Sequence, residues 1–153
     1  MVEEGKPAPD FDLASDTGER VRLSALQGKP VVLYFYPKDD TPGCTRQACD
    51  IRDAWSEFER AGAVVLGVSP DDEASHAKFK AKYGLPFPLL ADEGHKVSEA
   101  YGVWTQKSYA GRKYMGVERS TFVIAADGTV ASVMHKVDPK THADDVLGVL
   151  ASS

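Results

Sequence analysis

VVLYFYPKDDTPGCTRQAC, Val31 to Cys49, decides how the rest of the chain is read. Its first six residues are apolar and rich in β-branched and aromatic side chains, so VVLYFY reads as a buried strand that Pro37 ends. Thr41 then suits an N-cap. Pro42 suits the first helical position, because a helix leaves the N–H there unpaired and proline has none to lose. The pattern predicts a helix over Pro42 to Ala61, with Ala48, Ile51, Trp55 and Phe58 recurring at helical spacing to mark its buried face.

Both cysteines of the chain fall in that helix. Cys44 sits in the first turn, where unpaired backbone N–H groups and the positive end of the helix dipole favour a thiolate over a thiol. It shares the apolar face with Ala48, so a small buried hydrophobe at a strand-to-helix join is the alternative reading. Cys49 aligns instead with Asp53, Ser56 and Arg60 on the polar face. Along an ideal helix a separation of five residues holds Cα atoms roughly 8 to 9 Å apart and turns the side chains by about 140°. A disulfide needs Cα atoms within about 7 Å. Any bond between Cys44 and Cys49 therefore requires the first turns to unwind.

Working outward, Phe11 to Ala14 and Arg20 to Leu23 flank an Asp-Thr-Gly turn and read as a small hairpin, followed by a helical turn over Ser24 to Gln27. Val64 to Val68 is a nearly continuous apolar run, as expected of a strand covered on both faces. Asp71 or Asp72 caps a helix that reaches Tyr83 and stops at Gly84, with Pro86 beyond. A short strand, Phe87 to Ala91, and a short helix, Glu93 to Tyr101, follow. Thr121 to Ala125 and Val130 to His135 pair around Asp127-Gly128, and Thr141 to Ala151 closes as an amphipathic helix. Thr105 to Glu118 shows no clean period and reads as the longest loop, a candidate to line a site. The resulting order is β-α-β and then β-β-α, which is thioredoxin-like: an α/β fold with a central mixed sheet flanked by helices and extended by an N-terminal hairpin.

At 153 residues the chain fits one domain, residues 1–153, able to bury a core without disulfide staples. Its apolar runs are far shorter than the roughly 20 residues of a membrane span. MVEEGKPAPDFDL carries acids and prolines where a signal peptide needs a basic, then apolar, start. A cytoplasmic location is expected, a compartment where two cysteines rarely form a permanent staple. The net charge of −5 and scattered basic residues argue against nucleic-acid or anionic-membrane partners. The closing Ala-Ser-Ser reads as a frayed end.

Other chemistries find little support. Two cysteines with none of the four histidines nearby in sequence make no zinc motif, and no metal or cofactor is expected. C-x4-C is not the C-x-x-C of disulfide exchange. His76, His95, His135 and His142 read as structural or surface residues, and Lys78, Lys80 and Lys82 as a solvated helix face.

Pro37, Thr41 and Cys44 resemble the P-x-x-x-T-x-x-C motif of peroxiredoxins, and YFYPKDDTPGCT is similar to the peroxiredoxin Q, or bacterioferritin comigratory protein, subfamily. GVSPDDEASHAKF, LPFPLLAD, YGVW and ERSTFVI extend the resemblance over nearly the whole chain. It implies that Cys44 is the peroxidatic cysteine, attacking a hydroperoxide to give a sulfenic acid. It implies that Thr41 offers its hydroxyl to the peroxide, that Pro37 shields the sulfur, that Arg119 holds the thiolate and polarises the peroxide, and that the N–H groups of Gly43 and Cys44 complete the site. Cys49 becomes the resolving cysteine, forming an intramolecular disulfide that thioredoxin or a similar dithiol donor reduces. A monomer is expected. Gln47 departs from the glutamate common in the subfamily and bears on how Arg119 is held. Competing readings are a thiol-disulfide oxidoreductase and a non-catalytic redox sensor or holdase.

Overall fold

The computed structural model describes residues 2–152. Its centre is a five-stranded mixed sheet in the order β5-β4-β3-β8-β9, built from β3 (Val31–Phe35), β4 (Val64–Ser69), β5 (Leu89–Ala91), β8 (Ser120–Ile124) and β9 (Val130–Met134). β3 lies parallel to β4 and antiparallel to β8, so both of its edges are hydrogen-bonded, and all of its residues are buried. Alternation along β3 then sends Val32, Tyr34 and Tyr36 to one face and Val31, Leu33 and Phe35 to the other. The first face is covered by α1 (Pro42–Asp53), α2 (Trp55–Arg60), α3 (Glu73–Tyr83) and α5 (His142–Ser152), through Cys44, Ala48, Ile51, Phe58, Phe79, Val146 and Leu150. The second is covered by Phe11, Leu23, Tyr101 and Val103, with Val97 from α4 (Lys96–Ala100). A hairpin of β1 (Asp12–Ala14) and β2 (Arg20–Arg22) precedes the sheet, as expected.

β4 carries one close approach that only glycine permits. Gly67 lies opposite Tyr34, and a β carbon there would sit 2.9 Å from both the Tyr34 hydroxyl and Leu89 Cδ2. The β8–β9 turn behaves as Asp127-Gly128 suggests: Gly128 has φ +91°, and the Asp127 carboxylate accepts from the Thr129 amide and hydroxyl.

Several expectations need correction. The helix expected over Pro42 to Ala61 breaks at Ala54, whose φ of −99° and ψ of 16° re-aim the chain. The break lets Trp55 stack on Phe58 and approach Phe87, with ring centroids 6.2 and 5.9 Å apart. Thr105 to Glu118 is not a loop but most of an antiparallel hairpin, β6 (Trp104–Tyr109) and β7 (Arg112–Val117). Its strands are largely exposed, so neither shows the apolar alternation that a half-buried strand would. The helix expected from Glu93 starts only at Lys96, because His95 takes a left-handed φ of 50° and buried Asp92 caps the amides of Val97 and Ser98. The strand expected from Phe87 starts at Leu89, and Leu23–Leu26 forms a 3-10 turn. Ala151 and Ser152 of the end expected to fray continue α5, and Ser153 lies outside the described residues.

The β6–β7 turn is built from Ala110 and Gly111, with φ of +51° and +79°. Positive φ at both central positions is the type I′ geometry that favours Asn-Gly, and a Cβ at the first position strains it. Ala110→Asn is expected to stabilise the protein by about 0.5 to 1 kcal/mol, read as a rise of roughly 2 to 4 °C in thermal midpoint.

Candidate active site

The start of α1 is set by the end of β3, and it positions the Thr41 and Cys44 side chains. Thr41 occupies the N-cap position with extended backbone (φ −94°, ψ 156°), and Pro42 is the first helical residue. The capping itself departs from expectation. The Thr41 hydroxyl accepts no helix amide; it donates instead to the Lys38 carbonyl at 2.8 Å. One turn on, Cys44 is 2 % exposed, packed with the apolar face of α1 rather than in solvent. In a helix that begins at Pro42, the N–H groups of the first turn have no intrahelical acceptor.

Arg119 enters from the residue just before β8. Its Nη2 donates to Cys44 Sγ at 3.3 Å and its Nη1 to Gln47 Oε1 at 2.6 Å. The guanidinium thus spans two residues of α1, and Gln47, fully buried, uses its oxygen to hold it. Gly43 makes room: a β carbon there would lie 3.1 Å from Arg119 Nη2. Pro37 is half-buried at the end of β3, five residues before Pro42. The structure therefore brings Thr41, Gly43, Cys44 and Arg119 together around the start of α1, with Gln47 holding Arg119 one turn further along.

Cys49 is set apart. It is half-buried one and a half turns along an unbroken helix, and both cysteines are free thiols. Burial pushes the Cys49 thiol up and Asp53 and Asp50 add to this, against the opposing charge of Arg52. Among the described residues, no group of His, Cys, Asp and Glu suited to a metal ion is found, and no helix is long and apolar enough to cross a membrane.

Two features escaped sequence reasoning. Lys107, in the segment read as a loop, is half-buried, and its stem runs over Gly116, whose β carbon would meet Lys107 Cδ at 3.3 Å. Burial, then the neighbouring Arg119 charge, push its ammonium down, while Cys44 and Glu118 pull it up. Lys107 is thus a partly buried cation carried by the hairpin that precedes Arg119. The other is a set of hydrogen bonds joining the Pro37-to-Thr41 loop to α3. His142 behaves as the structural residue expected, buried with Nε2 2.7 Å from the Thr121 hydroxyl.

A buried thiol under an arginine, in the first turn of the first long helix of a thioredoxin-like fold, is the arrangement of the thiol peroxidases. Comparison with known proteins agrees with this: residues 4–133 match the AhpC/TSA family, to which this chain belongs. It is 50% identical over 149 residues to the putative peroxiredoxin bcp of Coxiella burnetii, covering 97% of this chain and 99% of that one. Peroxiredoxin Bcp of Bacillus subtilis is also 50% identical, over 97% of this chain and 95% of its own. Among solved structures, the bacterioferritin comigratory protein of Xanthomonas campestris, studied for alkyl peroxide reduction, superposes with a TM-score of 0.91 at 38% identity, covering 98% of each chain. A mutant of peroxiredoxin Q from the same organism gives 0.92 at 39%, covering 99% of each. The chain is thus a peroxiredoxin, and the thioredoxin-like fold expected from sequence is the fold observed.

His142 supplies a pH test of the site's packing. Burial, then the Arg119 charge, push its imidazole from the ordinary 6.5 down to about 4. Between those values the unfolded chain binds more protons, so this contribution to stability is whole above about pH 6.5 and is lost as pH falls toward 4. Chemical denaturation across that window should show the wild type losing roughly 3 kcal/mol more than His142→Gln.

Proposed function

We propose that the chain reduces hydrogen peroxide and organic hydroperoxides through Cys44, and that the two-pronged contact of Arg119 with Cys44 and Gln47 is the observation that carries this reading. A guanidinium 3.3 Å from the sulfur holds it in place with an N–H donor. It also offers N–H donors to the negative charge that develops on the peroxide oxygens. The Thr41 hydroxyl spends its proton on the Lys38 carbonyl, so its oxygen remains free to accept from the peroxide O–H. Amides of Gly43 and Cys44 add donors, and Pro37 keeps water from the sulfur.

The thiolate attacks the terminal peroxide oxygen. An S–O bond forms, the O–O bond breaks, and the leaving oxygen takes a proton and departs as water or an alcohol, leaving Cys44 as a sulfenic acid. Cys49, freed by unwinding the first turns of α1, attacks that sulfur as a thiolate; an S–S bond forms and hydroxide leaves as water. While α1 is intact, burial disfavours the Cys49 thiolate, and the helix holds the two sulfurs apart. Thioredoxin or a similar dithiol then reduces the disulfide. Both cysteines lie on one chain, so a monomer suffices, and the reducing cytoplasm suits a cysteine pair that must return to thiols.

Steady-state peroxide consumption with NADPH, thioredoxin reductase and thioredoxin tests the reading. Cys44→Ser should abolish turnover, and Cys49→Ser should complete one peroxide reduction and then stall. Arg119→Met should slow Cys44 oxidation by about 10² to 10³. Turnover surviving in Cys44→Ser would overturn the assignment, and a sensor or holdase would oxidise once without turning over. Hydrogen exchange of residues 43–50 should rise in protein carrying the Cys44–Cys49 bond; unchanged protection there would refute the unwinding.

A further inference from the structure

We propose that Asp39 and His76 form a buried lock that holds the Pro37-to-Thr41 loop in its peroxide-reducing arrangement and opposes the unwinding that lets Cys49 reach Cys44. This rests on the reading of Cys44 as peroxidatic and Cys49 as resolving. Neither Asp39 nor His76 touches the reacting atoms; both are positioning residues.

Asp39 is 8 % exposed, an unusual state for a carboxylate, and it is satisfied on every side. Its Oδ1 accepts from the Tyr36 hydroxyl at 2.6 Å, and its Oδ2 from Ser75 Oγ and His76 Nδ1, both at 2.7 Å. His76 is fully buried, and its Nε2 lies 2.9 Å from the Leu90 carbonyl. An imidazolium with two N–H donors satisfies both of these oxygens at once. Burial opposes that charge, but the hydrogen bond and charge of Asp39 outweigh it and raise the His76 pKa. The loop is thus tied by a buried, hydrogen-bonded ion pair to the first turn of α3 and to β5. Removing one member leaves the other as an uncompensated buried charge. The neighbouring tie, Asp40 to Lys82 and Tyr83, is exposed and correspondingly weak.

One peptide plane transmits the lock to the reaction. The Lys38 carbonyl and the Asp39 N–H belong to the same rigid unit. The N–H donates to Asp71 Oδ2 at 2.8 Å, and Asp71 in turn accepts from Ser69 Oγ at 2.7 Å. The carbonyl accepts from the Thr41 hydroxyl. Fixing Asp39 therefore fixes the direction of the Thr41 oxygen and the backbone from which α1 begins. Release should slow the first chemical step and speed the second. Loss of packing alone would not move the two in opposite directions.

The experiment compares wild type with Asp39→Asn, which keeps the shape and removes the charge, Asp39→Ala, and Asp72→Ala. The last weakens the cap of the same helix, where Asp72 accepts from the Ser75 amide, without touching the loop. Stopped-flow measurement with hydrogen peroxide gives the second-order rate of Cys44 oxidation and the first-order rate of disulfide formation. Mass spectrometry gives the peroxide concentration at which half of Cys44 becomes sulfinic acid, when a second peroxide adds its oxygen to the sulfenic acid and leaves as water. The Asp39 variants should oxidise Cys44 about tenfold more slowly and form the disulfide about threefold faster. Half-conversion to sulfinic acid should need correspondingly more peroxide, and Asp72→Ala should match wild type in all three. If Asp39→Ala is unfolded by circular dichroism, Asp39→Asn decides. Both rates unchanged, or both slowed together, would overturn the lock. Wild-type Cys44 that does not react with peroxide would overturn the underlying reading instead, a failure visible before any variant is compared.

Discussion

The contact between Arg119, Cys44 and Gln47 ties together two distant parts of the chain. Arg119 stands where the β6–β7 hairpin hands over to β8, and Cys44 and Gln47 stand one turn apart on α1. The arginine can reach both only because β8 runs antiparallel beside β3 and α1 starts directly from the end of β3. Gly43 leaves the guanidinium room, since a β carbon there would lie 3.1 Å from Nη2. Gln47 answers with a neutral oxygen, which orients the arginine without cancelling its charge. A carboxylate at that position would hold the arginine more tightly and leave less of its field for the sulfur.

The parts of the fold that could be read in the sequence were those whose burial leaves a periodic mark. β3 and β4 are almost wholly apolar because both faces of the sheet are covered, and the apolar face of α1 declares itself through Cys44, Ala48 and Ile51. The β6–β7 hairpin had no such mark. It stands away from the sheet, exposes Tyr109, Tyr114 and Met115, and satisfies its backbone with its own partner strand. The break at Ala54 was equally silent, since the apolar spacing runs through it unchanged while the backbone does not. At the site, Pro37, Thr41, Cys44 and Arg119 were legible through a motif, whereas Asp39 and His76 were not. Spacing along the chain carries no information about a loop carboxylate meeting a helix imidazole 37 residues away. Lys107 was hidden with the hairpin that carries it.

The proposed mechanism sets stability against turnover at this site. Cys44 is part of the core that covers the sheet, so the arrangement suited to attack is also the well-packed one. Resolution asks the same turns to leave that packing, and such local openings lie between fraying and global unfolding in free energy. The C-terminal end of α1 is secured separately, since Arg52 donates to the Tyr83 carbonyl at 2.6 Å. Opening from the N-terminal side therefore does not require the rest of the helical layer to follow.

That both cysteines lie on one short helix has a further kinetic meaning. Once the turns between them unwind, four intervening residues form a flexible tether, and the second thiol meets the first at an effective concentration of about millimolar or above. Small thiols in solution have to exceed that local concentration to compete for the oxidised sulfur. In the proposed cycle, the spacing that forbids a bond in the folded helix thus makes the pair self-contained when it opens, closing the ring before an outside thiol can form a mixed disulfide.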